Sequence, residues 1–293
     1  MEIVKRRYRL LSDFSQVHGF LADIYTLDTL NSYLLPPFFE YAHTHPFFNH
    51  KLTHRFGVWE EKGKIIGIAC YEMDIGESFL VTDKEHTFLL PEMLDHAEEE
   101  LSVLKNGKHT LSVWVTDKET VKIDLLTRRG YKKVHSEPIR IFSYDKPFPD
   151  VKLPEGFTAI SLDDENDYKK INDCLWKGFD HGDEPDDDID SRILMQSGPH
   201  FRKDLTTVIK APNGEYACFA GMWFDEKNNY AYLEPLATVP KYRRLGLAVY
   251  ALCEGMKKTK ALGAAYCFGG VHPFYTAIGF ETIANREIWK KER

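Results

Sequence analysis

Residues 232–248 read YLEPLATVPKYRRLGLA, and this stretch decides the fold. The residues from Tyr232 to Val239 are mostly apolar and predict a strand, after which Pro240 predicts a turn. Gly246 and Ala248 then open a segment whose apolar residues recur at helical spacing. This order of strand, turn and glycine-led helix is one in which backbone amides bind a phosphate group.

The start of the predicted helix suits a pyrophosphate. The first amides of a helix have no intrahelical partner, and the helix dipole is positive at that end. Gly246 has no Cβ to hold a phosphate away, and Ala248 is small. Arg243 and Arg244 add positive charge, and we expect one of them to face the phosphate and the other the solvent. Taken alone, the pattern Arg-x-x-Gly-x-Ala also fits a basic helix cap without a ligand.

A second motif follows the first at a suitable distance. Residues 274–280 read FYTAIGF. Together the two segments resemble the acyl-CoA-binding core of the GNAT (N-acetyltransferase) superfamily. The resemblance implies acetyl-CoA as co-substrate, with its pantetheine arm lying along the strand like an added β-strand and its phosphates at the helix start. The implied cofactor-binding residues are Leu236, Ala237, Thr238, Val239, Arg243, Arg244, Leu245, Gly246, Leu247 and Ala248.

The chain is predicted to form two domains of similar length, residues 1–148 and 149–293. Residues 146–156 between them hold three prolines and a glycine, which disfavour a helix or a central strand. Strands and helices alternate in the second half, which predicts an α/β fold with a mixed sheet. In each half we expect a mostly antiparallel central sheet flanked by helices, as the GNAT resemblance implies.

The first half resembles a degenerate copy of the same fold. It predicts a hairpin over residues 55–71, helices over 91–104 and 121–129, and a strand over 111–115. The phosphate-binding helix start, called the cradle below, is missing from this half, because the matching segment from Asp83 reads DKEHTFL and has no glycine. Leu126 stands at the position that matches Tyr275. We therefore expect that this half binds no CoA. It would instead line one side of an acceptor cleft or form a subunit interface.

Acyl transfer to an amine needs a neutral amine and a stabilised oxyanion. Glu234 lies in the predicted strand, where an unpaired buried carboxylate would be costly. Many GNAT enzymes carry a glutamate on this strand as the base, so we interpret Glu234 as a base or acceptor contact. The alternative is that it caps an amide or pairs with an arginine. Amides near Leu236 and Ala237 are expected to meet the oxyanion, since Pro235 has no N–H.

The departing thiolate needs a proton. Tyr275 matches the tyrosine that supplies it in many GNAT members, and a phenol is of broadly suitable acidity. Its alternative role is that of a core aromatic residue. His272 lies three residues earlier, and is either a contact for acceptor or CoA or the cap of a short helix.

Residues 180–190 read DHGDEPDDDID, with seven acidic residues in eleven. In GNAT proteins this region commonly borders the acceptor site, and an acidic rim would attract a cationic amine. The alternative is a solvated loop, because acidic residues also favour the start of a helix such as the one predicted near Ile193.

Composition limits the partners, the cellular compartment and the metal sites that we expect for this chain. The net charge of −7 argues against nucleic acid as a partner. The sequence has no apolar run long enough to span a bilayer, and the first residues do not resemble a signal peptide. Five widely spaced cysteines predict reduced core thiols in the cytoplasm. His43, His45, His50 and His54 lie among aromatic residues, so we expect packed helices there and no metal.

The sequence thus predicts an N-acetyltransferase that uses acetyl-CoA and acts on a primary amine of a small molecule or peptide. Transfer is expected to be direct, because no cysteine in the motif segments offers an acyl carrier; Cys253 and Cys267 look structural. The alternative is a non-catalytic acyl-CoA-binding or interaction protein with the same fold. The acceptor, the acyl chain and the choice between monomer and homodimer stay open.

Overall fold

The computed structural model describes residues 3–293, which form two compact units. The first unit contains the described residues up to His43, then Phe47–Ile139 and Thr282–Arg293; the second contains Thr44–Pro46 and Arg140–Glu281. The strands and helices, in chain order, are β1 Ile3–Arg7, α1 Leu10–Ile24, α2 Pro36–His43, β2 Gly57–Glu61, β3 Lys64–Cys70, β4 Glu77–Thr82, α3 Leu90–His96, β5 Val103–Lys105, β6 Lys108–Thr116, α4 Thr120–Arg128, β7 Lys132–Ser143, β8 Thr158–Ser161, α5 Tyr168–Gly178, α6 Ile189–Met195, β9 Thr207–Lys210, β10 Tyr216–Asp225, β11 Tyr230–Thr238, α7 Leu247–Ala261, β12 Tyr266–Gly269, α8 Pro273–Ala277 and β13 Glu281–Glu292.

The units differ from the predicted ranges 1–148 and 149–293 at both boundaries. Strand β13 pairs antiparallel with β6, from Arg286 opposite Thr116 to Glu292 opposite Thr110, so the last strand belongs to the first unit. Residues 140–143 of β7 pair with β12, so they belong to the second unit. The division of the chain by strand pairing therefore differs from the division that was predicted from the proline-rich segment.

The sheet of the first unit has the order β1-β2-β3-β4-β6-β13. Strand β5 pairs with residues 108–110 at the beginning of β6. Its pairs are antiparallel except β4 with β6, which is parallel. The predicted hairpin is present as β2 and β3. The helix predicted over residues 91–104 is shorter, since α3 continues only as a π-helical turn to Leu101 and residues 103–105 pair as β5.

The sheet of the second unit has the order β12-β11-β10-β9-β8, with residues 140–143 of β7 on the outer side of β12. All pairs are antiparallel except β11 with β12. Helix α7 buries Leu247, Ala251, Leu252 and Met256 in the core against this sheet. Burial of such an apolar face stabilises the helix on the strand that precedes it.

Both units thus have the predicted α/β architecture, a mostly antiparallel sheet flanked by helices. Helix α5 begins at Tyr168, where the Asp167 side chain accepts the hydrogen bond of the Lys170 amide at 3.1 Å and caps the helix. None of the helices in residues 3–293 is both long and apolar enough to cross a bilayer.

Candidate acyl-CoA site

Strand β11 has an open edge in the second unit. Its parallel pairing with β12 covers only Tyr230–Tyr232, opposite Tyr266–Phe268, although β11 continues to Thr238. The backbone groups on this side of Leu236 and its neighbours are therefore not used by strand pairing with β12. An open strand edge is the surface on which an extended chain can add hydrogen bonds.

The register of β11 decides which groups face that edge. Val239 donates its amide hydrogen bond to the Ala217 carbonyl of β10 at 3.0 Å, and its carbonyl accepts one from the Tyr242 amide at 2.9 Å. Because backbone groups alternate in an antiparallel pair, Ala237 also faces β10, while Leu236 and Thr238 face the open edge. The Val239 backbone groups are therefore already hydrogen-bonded within the protein, and the pairing with β10 disfavours the predicted contact of the Ala237 amide with the oxyanion. The Leu236 amide faces the open edge and stays the predicted contact for the oxyanion.

Two glycines, Gly178 and Gly221, allow other segments to approach the backbone of β11 closely. Gly178 lies against the edge, where a Cβ would stand 3.1 Å from the Thr238 nitrogen. Gly221 lies at a break in the β10–β11 register, where a Cβ would stand 2.3 Å from the Glu234 carbonyl oxygen. The Trp223 indole donates to the same Glu234 oxygen at 2.9 Å. The bulge therefore holds the Glu234 backbone from the β10 side.

A cleft of about 580 Å³ runs along this edge. Ten predicted residues line it: Leu236, Ala237, Thr238, Arg243, Arg244, Gly246, Leu247, Ala248, His272 and Tyr275. Glu234, Val239 and Leu245 do not line it. The cleft is also lined by Tyr242, Val249, Phe274 and Gly178, which were not predicted, although the first three adjoin the motifs. The cleft joins the strand edge to the start of α7 and to α8.

The start of α7 is open to an anion. Gly246 is its N-cap, with a φ of 78°, and no side chain caps the helix. The Tyr250 amide donates to the Gly246 carbonyl, so the amides of residues 247–249 precede the first intrahelical bond. A Cβ on Gly246 would lie 3.0 Å from Val151 and would have to adopt this left-handed φ. These features fit a pyrophosphate.

The two arginines of the motif have different environments. Arg243 donates to the carbonyls of Gly178 and Thr238, at 3.0 and 3.1 Å, and pairs with the Asp180 carboxylate at 2.8 Å. Its charge is therefore already compensated. Arg244 is exposed, lines the cleft and has no ion pair within residues 3–293. Arg244 is thus the motif arginine left for a phosphate.

Tyr275 is buried at the inner part of the site. Its ring lies against Gly269 and Gly270, where added Cβ atoms would be 2.8 and 2.7 Å from ring carbons. Burial raises the pKa of Tyr275 well above its usual value, and the charge of Glu234 raises it further, while the Gly270 amide opposes them. Tyr275 is therefore a neutral hydrogen-bond donor at any pH up to about 10.

His272 is the cap of α8. Its Nδ1 accepts the hydrogen bond of the Phe274 amide at 3.1 Å, which confirms the capping alternative. Because Nδ1 is the acceptor, a neutral ring carries its proton on Nε2. The residue also lines the cleft.

Three of the seven acidic residues in the segment 180–190 make contacts within the protein. Asp180 pairs with Arg243, and the Asp188 carboxylate accepts the Ser191 amide hydrogen bond at 3.0 Å and caps α6. Asp186 accepts a hydrogen bond from Asn172. The helix-start interpretation therefore accounts for part of this segment, and Asp180 alone of it lines the cleft.

The corresponding helix start in the first unit is already occupied. The Asp83 carboxylate accepts hydrogen bonds from the amides of Glu85 and His86, both at 3.0 Å. Leu126 is fully buried there and offers no proton. Both observations support the expectation that this unit lacks a CoA cradle.

The histidines of the first half contact backbone carbonyls. His43 is buried between aromatic rings and its Nδ1 lies 2.8 Å from the Phe39 carbonyl. His50 contacts the His43 carbonyl and His54 the Lys51 carbonyl. Burial lowers the pKa of His43 to about 4. These contacts agree with the expected aromatic packing.

All five cysteines are free and buried, as predicted. Burial raises the pKa of Cys253 to about 11 and that of Cys218 to about 12. Buried thiols with raised pKa values are poor nucleophiles. A cysteine-bound acyl carrier is thereby disfavoured.

Solved structures share this fold over nearly the whole chain, although no protein-family model and no curated protein matches it. A tandem GNAT protein from the clavulanic acid biosynthesis pathway, solved without acetyl-CoA, is 12% identical with a TM-score of 0.64, over 99% of this chain and 98% of that chain. A GCN5-related N-acetyltransferase from Sphaerobacter thermophilus is 12% identical with a TM-score of 0.60, over 99% and 95%. The Saccharomyces cerevisiae N-myristoyltransferase with bound myristoyl-CoA is 11% identical with a TM-score of 0.56, over 99% and 80%. The chain has the GNAT fold.

Proposed function

We propose that the protein is an acyltransferase whose second unit moves an acetyl group from acetyl-CoA to a primary amine of a small molecule or peptide. The observation that carries the proposal is one cleft that joins the open edge at Leu236, the uncapped start of α7 and the neutral phenol of Tyr275. The solved N-acetyltransferases with the same fold support the reaction class by analogy.

Acetyl-CoA would be held by residues from three elements of the second unit. The amides of residues 247–249 and the Arg244 side chain would take the phosphates, and the edge of β11 would take the pantetheine arm. When bound, acetyl-CoA supplies the thioester that the amine attacks. The cleft volume is within the range of about 300–1,000 Å³ typical of ligand sites.

The protein's own groups have three tasks in this proposal. The Leu236 amide faces the carbonyl oxygen as negative charge develops there. Tyr275 holds the proton for the departing sulfur. Glu234 would remove a proton from the amine, directly or through water; it does not line the cleft itself, but its charge raises the pKa of Tyr275. We also propose direct transfer in a cytoplasmic protein, consistent with the buried free thiols.

The function is tested by measuring free CoA thiol when acetyl-CoA is mixed with a panel of primary amines. Thiol release that depends on an amine, with a matching acetylated product by mass spectrometry, is the expected result. Calorimetric binding of acetyl-CoA without release with any amine would instead favour the non-catalytic acyl-CoA-binding alternative. Absence of binding would remove both.

The two motif arginines are expected to behave differently on substitution. Arg244→Gln should weaken acetyl-CoA binding about fivefold and reduce its salt dependence, because one charge near the phosphates is lost. Arg243→Gln should leave the salt dependence nearly unchanged and lower the melting temperature, because its bonds to Gly178, Thr238 and Asp180 are structural. Calorimetry at low and high salt measures both. Equal salt dependence in the two variants would contradict the assignment.

A further inference from the structure

The link between β12 and α8 lies directly before Tyr275, and the contacts that hold it are within the second unit. Residues 270–272 of this link belong neither to a strand nor to a helix. Strand β12 pairs with β7 as far as Gly269, which lies opposite Arg140. Strand pairing therefore ends just before the link, so another contact has to fix the course of the chain into α8.

The Arg140 side chain supplies that contact. Its Nη1 donates to the carbonyl of Gly270 at 3.2 Å and to that of Val271 at 2.5 Å. A guanidinium is always charged, and hydrogen bonds from a charged donor are stronger than those between neutral groups. The two carbonyls lie 130 and 131 positions further along the chain. One side chain on β7 thus holds two successive peptide groups of the link.

Gly270 also contacts the phenol of Tyr275. A Cβ on Gly270 would lie 2.7 Å from Cε2 of the ring, 3.1 Å from Cζ and 3.2 Å from the phenol oxygen. These are the three nearest atoms, so a side chain at position 270 would collide with Tyr275 before any other residue. Burial raises the pKa of Tyr275, and a hydrogen bond from the Gly270 amide to the phenol oxygen opposes this effect.

The ring and the oxygen of Tyr275 have different neighbours. The ring packs edge-to-face against Phe274 and Phe280, with centroid distances of 5.2 and 5.3 Å. These two contacts determine where the ring lies. The oxygen accepts the amide hydrogen bond of Gly270, and a hydroxyl that accepts on one side turns its own hydrogen to another. Gly270 is therefore placed to determine the direction of the phenol hydrogen.

We propose that Arg140 and Gly270 are positioning residues for the acid step. Arg140 holds the Gly270 carbonyl, the Gly270 amide holds the phenol oxygen, and the phenol hydrogen then faces the cleft that Tyr275 lines. In the step itself the phenol O–H bond breaks, the S–H bond of free CoA forms, and the phenolate regains a proton from water. The assignment of the proton to sulfur rests on the proposed acyltransferase function. The placement of the phenol by Arg140 and Gly270 does not.

The kinetic test is a double-mutant cycle with Tyr275→Phe. Gly270→Ala displaces the phenol and Arg140→Met releases the Gly270 carbonyl, so each should lower kcat about tenfold while acetyl-CoA affinity stays within about twofold. In the Tyr275→Phe background neither should lower kcat by more than about twofold, because the hydroxyl on which they act is gone. Similar losses of kcat in both backgrounds would indicate a merely structural role and would overturn the proposal.

Lys258→Met is the matched control for Arg140→Met. The Lys258 Nζ donates to the Asp204 carbonyl at 2.7 Å, so this variant also removes a cation from a backbone carbonyl of the second unit. Neither residue lines the cleft. We expect the kcat of Lys258→Met to stay within about twofold of the parent value. A loss as large as that of Arg140→Met would contradict a specific effect through Tyr275.

A ¹⁹F spectrum of the full chain reports the placement of the phenol without turnover. The tyrosines are replaced by 3-fluorotyrosine, and the Tyr275 resonance is the one that disappears in Tyr275→Phe. It should shift in Gly270→Ala and Arg140→Met and keep its position in Lys258→Met. An unchanged resonance in the first two variants would refute the placement. Shifts in both, in a protein that releases no CoA thiol with any amine, would support the placement and count against the acyltransferase function.

Discussion

Tyr275→Phe is expected to lower kcat by about 100-fold or more while leaving acetyl-CoA affinity within about twofold. The phenol is buried, and burial with the nearby Glu234 charge holds its pKa well above the usual value, so it carries a proton at working pH. The substitution removes this donor and keeps the ring that packs on Gly269 and Gly270. Steady-state kinetics and calorimetry measure the two quantities separately.

Tyr242→Phe is the matched control for this variant. Tyr242 lines the same cleft, but its hydroxyl donates to Glu215 at 2.9 Å rather than facing the inner part of the site. We expect its kcat to stay within about twofold of the parent value, since no proton-transfer role is lost. Unchanged turnover in Tyr275→Phe, or an equal loss in both variants, would exclude Tyr275 as the acid.

The pH profile adds a second readout for Tyr275. An acid with a raised pKa keeps its proton to higher pH, so the rate should rise as the amine loses its proton and should not fall near pH ~10 because of Tyr275. Tyr275→Phe should lower this profile without changing its shape. A descending limb near pH ~10 that the variant lacks would show that Tyr275 titrates at its ordinary value.

The uncapped start of α7 was predictable because it depends only on residues that are close together in the sequence. A glycine, a small residue and a helical repeat within a few positions are sufficient to predict the open start of α7 at Gly246. The capped helix start in the first unit was predictable for the same reason, since Asp83 bonds amides two and three residues later. His272 caps α8 across a similarly short distance.

The features that the sequence did not predict depend on distant residues. Arg243 is bonded to Asp180, 63 positions away, and to the Gly178 carbonyl. The choice of Leu236 over Ala237 as the edge-facing residue follows from pairing with β10. Local pattern cannot specify such partners.

The predicted domain boundary differs from the boundaries of the two compact units. Proline content predicts where regular structure stops, and residues 146–156 indeed contain no helix or strand. It carries no information about which sheet a later strand joins. Strand β13 joins the first unit through seven successive pairs with β6, from Arg286 to Glu292.

Ala248→Asp is expected to weaken acetyl-CoA binding by about 100-fold or more, equivalent to about 2.7 kcal/mol. Ala248 is the second residue of α7, lines the cleft and stands beside the amides assigned to the pyrophosphate. An aspartate there would accept those amide hydrogen bonds itself and would repel the phosphates. A carboxylate at a helix N-terminus interacts favourably with the helix dipole, so the melting temperature of this variant should not fall.

Two controls separate charge from bulk in this prediction. Ala248→Asn adds nearly the same volume without charge, and we expect its acetyl-CoA affinity to fall by at most about tenfold. S-acetylpantetheine has no phosphate, so its use as acyl donor should be equally efficient in the Asp and Asn variants, because it needs only the β11 edge at Leu236. A calorimetric affinity for acetyl-CoA that is equal in the two variants would show that the phosphates do not lie at the start of α7. An acetylpantetheine rate lost only in the Asp variant would place the carboxylate's effect at the reacting end of the cleft instead.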